Sequence, residues 1–153
     1  MLVSRTVPHL LTAAVAAALM AAPLHAQKAP VNTTRSGLAV SGYDVVAYRT
    51  EKRPVRGRTE FEYQWNGAIW RFSSAAHRDR FADDPARFAP QFGGYCAYAV
   101  SRGYTADVDP EAFTVIEDRL YLNYSRSVRR LWEQDVAGNI ARGQKNWPGV
   151  LAR

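Results

Sequence analysis

Glu60-Phe61-Glu62-Tyr63-Gln64-Trp65-Asn66-Gly67-Ala68-Ile69-Trp70-Arg71-Phe72 is the stretch that decides the fold. Aromatic residues at 61, 63 and 65 alternate with polar ones, the period of a strand with one covered face. Asn66-Gly67 then supplies two residues that tolerate positive φ, as a two-residue hairpin turn requires. A β-hairpin is therefore expected here, with Trp65, Trp70, Tyr63 and Phe61 covering its faces.

Working outward, Ser73 or Ser74 can accept a hydrogen bond from the first turn of a following helix, and Ala-Ala-His-Arg-Asp-Arg-Phe-Ala from Ala75 has good helical propensity. Asp84-Pro85 opens a further short turn through Phe88, because proline is tolerated at an early helical position. Gly93-Gly94 marks a turn or a close approach, and Tyr95-Cys96-Ala97-Tyr98-Ala99-Val100 after it reads as a buried strand or a pocket wall. A second hairpin is expected from Phe113–Glu117 and Leu120–Tyr124, turning at Asp118-Arg119. Val128, Leu131, Trp132, Val136 and Ile140 fall near one face of a helix running from about Arg126 to Gln144. No internal repeat is evident. The expectation is an α+β domain: a small antiparallel sheet built from two hairpins, a short helix after the first, and a C-terminal amphipathic helix.

The chain has 153 residues, 20 Lys+Arg against 14 Asp+Glu, and one cysteine, so it suits one domain without an internal disulfide. Residues 1–26 read as a cleaved secretory signal: Arg5 supplies the positive region, Leu10 to Leu24 the apolar stretch, and Ala26 the small residue at the cut. That places the protein in the periplasm or outside the cell, with no stable membrane insertion after cleavage. Residues 27–37, polar and proline-interrupted, read as a flexible lead-in; residues 38–148 form the domain and 149–153 a tail. Cleavage leaves His77 and Cys96 as the sole histidine and cysteine, with no methionine. Cys96 is then buried, bound to something, or paired between two molecules, which leaves a homodimer open. The arginines are mixed with acids apart from Arg126, Arg129 and Arg130, so a nucleic-acid partner is not expected.

Gly42-Tyr43-Asp44-Val45-Val46-Ala47-Tyr48, Trp70-Arg71-Phe72-Ser73-Ser74, Asp84-Pro85 with Phe88 and Pro90, Gly93-Gly94-Tyr95-Cys96-Ala97-Tyr98 and Leu120-Tyr121-Leu122-Asn123-Tyr124 resemble the exported bacterial proteins of the YHS domain family. The likeness spans about Leu38 to Pro148. It implies a small α+β domain related to metal-sensing cysteine modules, in which a hairpin delivers metal-ligating cysteines into a helix start. Where that relative has Phe-Cys-Ser-x-x-Cys, this chain has Phe72-Ser73-Ser74-Ala75-Ala76-His77, so the resemblance implies a place for a site and not its ligands.

Thiolate and imidazole from Cys96 and His77 would suit copper or zinc, but a closed site needs four ligands, so any metal site is incomplete, borrows a carboxylate such as Asp44, or lies between chains. Tyr43, Tyr95 and Tyr98, beside glycines and polar groups, are the candidate walls of a small-molecule cleft. The favoured expectation is thus a non-catalytic binding protein holding a transition metal or a small molecule near His77 and Cys96. Two alternatives stand beside it: a structural or interaction domain with a capped histidine and a buried thiol, and a thiol-dependent enzyme in which His77 activates Cys96.

Overall fold

The computed structural model describes residues 27–153, so the signal-peptide reading of 1–26 lies outside the described residues. The helices are α1 (Ala47–Thr50), α2 (Ala75–Asp83), α3 (Pro85–Phe88), α4 (Ala97–Ser101), α5 (Arg126–Glu133) and α6 (Val136–Asn146). The strands are β1 (Arg58–Trp65), β2 (Ala68–Phe72), β3 (Asp109–Ile116) and β4 (Arg119–Asn123), paired as β1-β2 and β3-β4 in two separate antiparallel sheets. The fold is α+β as expected, with two two-stranded sheets in place of one.

The expected first hairpin forms around Asn66 (φ 50°) and Gly67 (φ 75°). The second turns at Glu117-Asp118, one position before the expected Asp118-Arg119, because those are the residues at positive φ (49° and 58°). Ser74 caps α2 by accepting from the His77 amide at 3.2 Å, and Asp84 caps α3. The single C-terminal helix is in fact two: Asp135 ends the first and caps the second, its carboxylate accepting from the Gly138 amide at 3.0 Å. Residues 95–100 form no strand; α4 begins directly after Cys96.

The two hairpins are the same object built twice. Trp65↔Ala68, Tyr63↔Trp70 and Arg58↔Phe72 in the first correspond to Ile116↔Arg119, Thr114↔Tyr121 and Asp109↔Asn123 in the second, each 51 positions on, with the same break in register four residues from the strand start. Each leads to a serine-capped helix; Ser125 accepts from the Val128 amide at 3.2 Å as Ser74 does from His77. One large aromatic pair fixes each helix on its hairpin: Trp70 and Phe81 lie 5.0 Å apart at 33°, Tyr121 and Trp132 5.1 Å apart at 33°. Before each hairpin stands a left-handed triplet, Val40-Ser41-Gly42 and Phe92-Gly93-Gly94, followed by a tyrosine whose amide bonds back to the first residue at 3.0 Å. The same structural unit recurs over residues 40–83 and 92–133, a repeat that the sequence pattern alone did not show. Its sequence trace is Gly42-Tyr43 against Gly94-Tyr95, Glu60 against Glu111, Ser74 against Ser125 and Arg78 against Arg129; most other side chains differ while the backbone conformation does not.

Each half has its own core, Trp70, Phe72 and Phe81 in the first and Phe92, Tyr121 and Trp132 in the second. Strand β4 joins them, because Leu120 and Leu122 point into the first core and Tyr121 into the second. The lead-in is not flexible: Val31 is buried, the Lys28 amide bonds the Leu151 carbonyl and the Asn32 amide that of Gly93, both at 2.8 Å. A Cβ on Gly93 would sit 2.1 Å from the Pro30 carbonyl oxygen, so this close approach needs glycine. Nor is 149–153 a tail, since Val150 and Leu151 fill the second core. The packed domain runs from about residue 28 to the last residue described.

Arg49 locks the halves from outside. Its guanidinium, with 7% of the side chain exposed, bonds the carbonyls of Asp118 (2.9 Å), Phe88 (3.1 Å) and Arg87 (2.8 Å). Arg49→Ala strands those acceptors and is expected to lower unfolding free energy by about 2–4 kcal/mol, with Arg49→Lys recovering only part. Urea denaturation measures it, and a loss below about 0.5 kcal/mol would contradict this role. Burial holds the Tyr48 phenol, which donates to the Pro110 carbonyl at 2.9 Å, protonated far above its ordinary value of 10.0. Unfolding restores that ordinary value, so the contribution is complete below about pH 10 and declines above it. In alkaline urea titrations Tyr48→Phe should make that decline shallower.

Candidate functional site

The repeat sets two equivalent positions side by side: Asp44, Ser73 and His77 in the first half, Cys96, Tyr124 and Val128 in the second. In both, the residue after Gly-Tyr is anchored by its own amide, Asp44 to the Val55 carbonyl at 2.8 Å and Cys96 to that of Ala106 at 2.9 Å. In both, its side chain accepts from the backbone amide just past the hairpin: Ser73 N to Asp44 Oδ2 at 2.8 Å, Tyr124 N to Cys96 Sγ at 3.3 Å. This clamp ties the short helix of each half to its hairpin.

The first version is closed. Asp44 is 0% exposed, and Oδ1 accepts from the amides of Val46 (2.9 Å) and Ala47 (3.2 Å). Oδ2 accepts from Ser73 Oγ (2.7 Å) and His77 Nδ1 (2.7 Å) as well as Ser73 N. A carboxylate only accepts, so His77 carries a hydrogen on Nδ1 and turns Nε2 toward the Thr50 hydroxyl, 3.4 Å away. That carboxylate–imidazole arrangement orients a ligating histidine in metalloproteins. With both Asp44 oxygens occupied, Asp44 is placed to orient His77 and not to ligate beside it.

The three residues are also no Ser-His-Asp triad. There the serine bonds the imidazole nitrogen opposite the carboxylate, whereas Ser73 gives its hydrogen to Asp44 and lies 3.4 Å from the nitrogen that Asp44 already holds. Cys96, 1% exposed, points its thiol at Asn123 Oδ1 at 3.6 Å. No hydrogen bond joins it to His77. The sequence pairing of His77 with Cys96 fails because the two occupy different halves, and among the described residues no three of His, Cys, Asp and Glu gather as a metal site requires.

The second version is open. A sulfur is a weak acceptor, so the amide of Tyr98, which corresponds to Val46, turns to the carboxamide oxygen of Asn123 at 3.1 Å. Val128 in place of His77 gives the thiol no polar side chain from the helix, leaving it Asn123 Oδ1 and the Tyr124 amide. The result is a cleft of about 280 Å³ with Cys96 at its floor and Tyr98, Tyr104, Tyr124 and Val128 around it. Tyr104 and Tyr124 are 53% and 61% exposed, two of the three large apolar side chains that the described surface leaves in water. Sequence reasoning named Cys96 and Tyr98 but missed Tyr104, Tyr124 and Val128; recognising the repeat would have found Tyr124 and Val128.

The other two candidate tyrosines serve the scaffold. Tyr95 donates its hydroxyl to the Ala29 carbonyl at 2.9 Å, pinning the lead-in, and Tyr43 carries the Arg56 guanidinium 4.8 Å above its ring. Among the described residues no helix is long and apolar enough to cross a membrane. Compared with family models, curated proteins and solved structures, the chain matches none of them.

The two clamps differ in cost of removal. Asp44→Ala leaves three amides, a hydroxyl and an imidazole without their acceptor and is expected to cost about 3–5 kcal/mol. Cys96→Ala removes one weak acceptor and a small apolar group, for about 1–2 kcal/mol. Chemical denaturation of both variants checks the order, and a Cys96→Ala loss as large as that of Asp44→Ala would refute it.

Proposed function

We propose that the protein is an exported, non-catalytic binding domain that holds one small, largely apolar, ring-bearing molecule in the cleft above Cys96. The observation that supports this reading most is the divergence of the two equivalent positions: the first fills itself with its own hydrogen bonds, the second is an open cleft walled by tyrosines. Its volume is near the lower end of the roughly 300–1,000 Å³ typical of ligand sites, which suits a single ring. A thiol and aromatic edges favour such a ring through dispersion and sulfur–aromatic contact. Of the two ligand chemistries expected from the sequence, the small molecule fits this donor set better than copper or zinc, which one thiol without a neighbouring imidazole or carboxylate holds poorly. The resemblance to YHS domains points instead to the first half, Ser73 to His77, which its own hydrogen bonds already fill.

The test is an NMR titration of the secreted chain with p-cresol, and separately with Zn(II) and Cu(I) under reducing conditions. Saturable shifts of the Ala99, Ala106 and Tyr124 amides by p-cresol, abolished by Val128→Trp, are expected. Stoichiometric metal uptake lost in both His77→Ala and Cys96→Ala would replace this reading with a metal-binding one. Alkylation of Cys96 much faster than a model thiol, and slowed in His77→Ala, would favour a thiol enzyme.

A further inference from the structure

A second cleft, of about 470 Å³, lies where the lead-in, the tip of the first hairpin, the Gln91–Gly94 turn and the end of α6 converge. It is the seam of the repeat and has no counterpart in either half alone. Its walls are the half-buried indoles of Trp65 and Trp147 with Phe92 beneath, and its polar groups are the carboxamides of Asn66, Gln91 and Gln144. Among the described residues no charged side chain lines it, in a chain with 34 charged residues. A second depression of about 380 Å³ adjoins it, sharing Trp65 and Asn66 and adding Gln64 and Ile69, again with no charged side chain among the described residues.

We infer that this double depression is a binding site for a neutral oligosaccharide, with Trp65 shared by two sugar subsites. The absence of charge in the lining matches a ligand without charge, because an ion would enter here with no counter-charge to replace its hydration. Aromatic faces offer stacking surface to the C–H faces of sugar rings. The carboxamides decide between sugars and the other neutral ligand that aromatic grooves take, a proline-rich strand. Each carboxamide both donates and accepts, as a sugar hydroxyl does, whereas a proline-rich backbone only accepts. Two depressions that share one indole suit a chain of rings better than one ring.

The experiment follows indole N–H resonances of the secreted chain while maltotetraose, cellotetraose, chitotetraose or a decaproline peptide is added. Trp132, 0% exposed and outside the lining of the cleft, serves as the internal control among the four tryptophans. At least one tetrasaccharide is expected to shift Trp65 and Trp147 saturably at millimolar concentration, and Trp147→Ala should weaken binding about tenfold or more. Trp65 also supports the first core, so Gln144→Ala, on an exposed side chain, is the second variant and should weaken binding with the melting temperature unchanged. No saturable shift with any of the three sugars overturns the inference. Decaproline binding in their place overturns it in favour of a peptide groove.

Discussion

Everything in this fold hangs on one junction made twice: a buried side chain after Gly-Tyr that accepts the first free amide beyond a hairpin. A two-stranded hairpin is marginal in water, and so is a helix of four or five residues. The clamp makes each the other's support, because Ser73 N and Tyr124 N are held by side chains that stand at the start of α1 and α4. The left-handed triplets stand just before Asp44 and Cys96; Val40, Ser41 and Phe92 are strained at positive φ while Gly42, Gly93 and Gly94 take it freely.

The two copies of the unit differ in how the clamp is made. The carboxylate of Asp44 satisfies five donors by itself, which rigidifies the first half and leaves it no vacancy. A thiol cannot do this, so in the second half the load is divided between Cys96 Sγ and Asn123 Oδ1, and the buried strand end at 123 carries a carboxamide where the first half has Phe72. The same substitution that weakens the clamp removes the polar groups that would have filled the space above it. The cleft is therefore a consequence of exchanging carboxylate for thiol and imidazole for isopropyl at matched positions.

Local chemistry was legible in the sequence: Asn66-Gly67 with its alternating aromatics, the serine at 74 and Asp84-Pro85 all act within a few residues of themselves. Long-range geometry was not. Asp135, which splits the last helix, reads as an ordinary polar residue inside an amphipathic pattern until its carboxylate is seen on the Gly138 amide. Residues 27–37 look like a linker because their anchors are backbone bonds to Gly93 and Leu151, far along the chain, and backbone groups carry no sequence signal. The pairing of His77 with Cys96 rested on the scarcity of ligand types, and scarcity says nothing about which half of a repeated fold each occupies. Conformation matches at the triplets, turns and register breaks, where several residue types serve, so the repeat shows in φ values better than in letters.

A repeat of this kind would come apart at its seam unless something other than a linker held it, since each half has a separate core. Strand β4 supplies most of the hold through the alternation of a pleated strand, Leu120 and Leu122 committed to one core and Tyr121 to the other, so that neither half can shed the other without exposing its own interior. Arg49 fastens the far side with bonds to three carbonyls from two segments. What these fastenings leave uncovered is the side where Trp65, Phe92 and Trp147 meet, closed only by the lead-in at Pro30 and Val31. An aromatic seam that a fold spans but does not fill is where an uncharged ligand finds apolar area without opening either core.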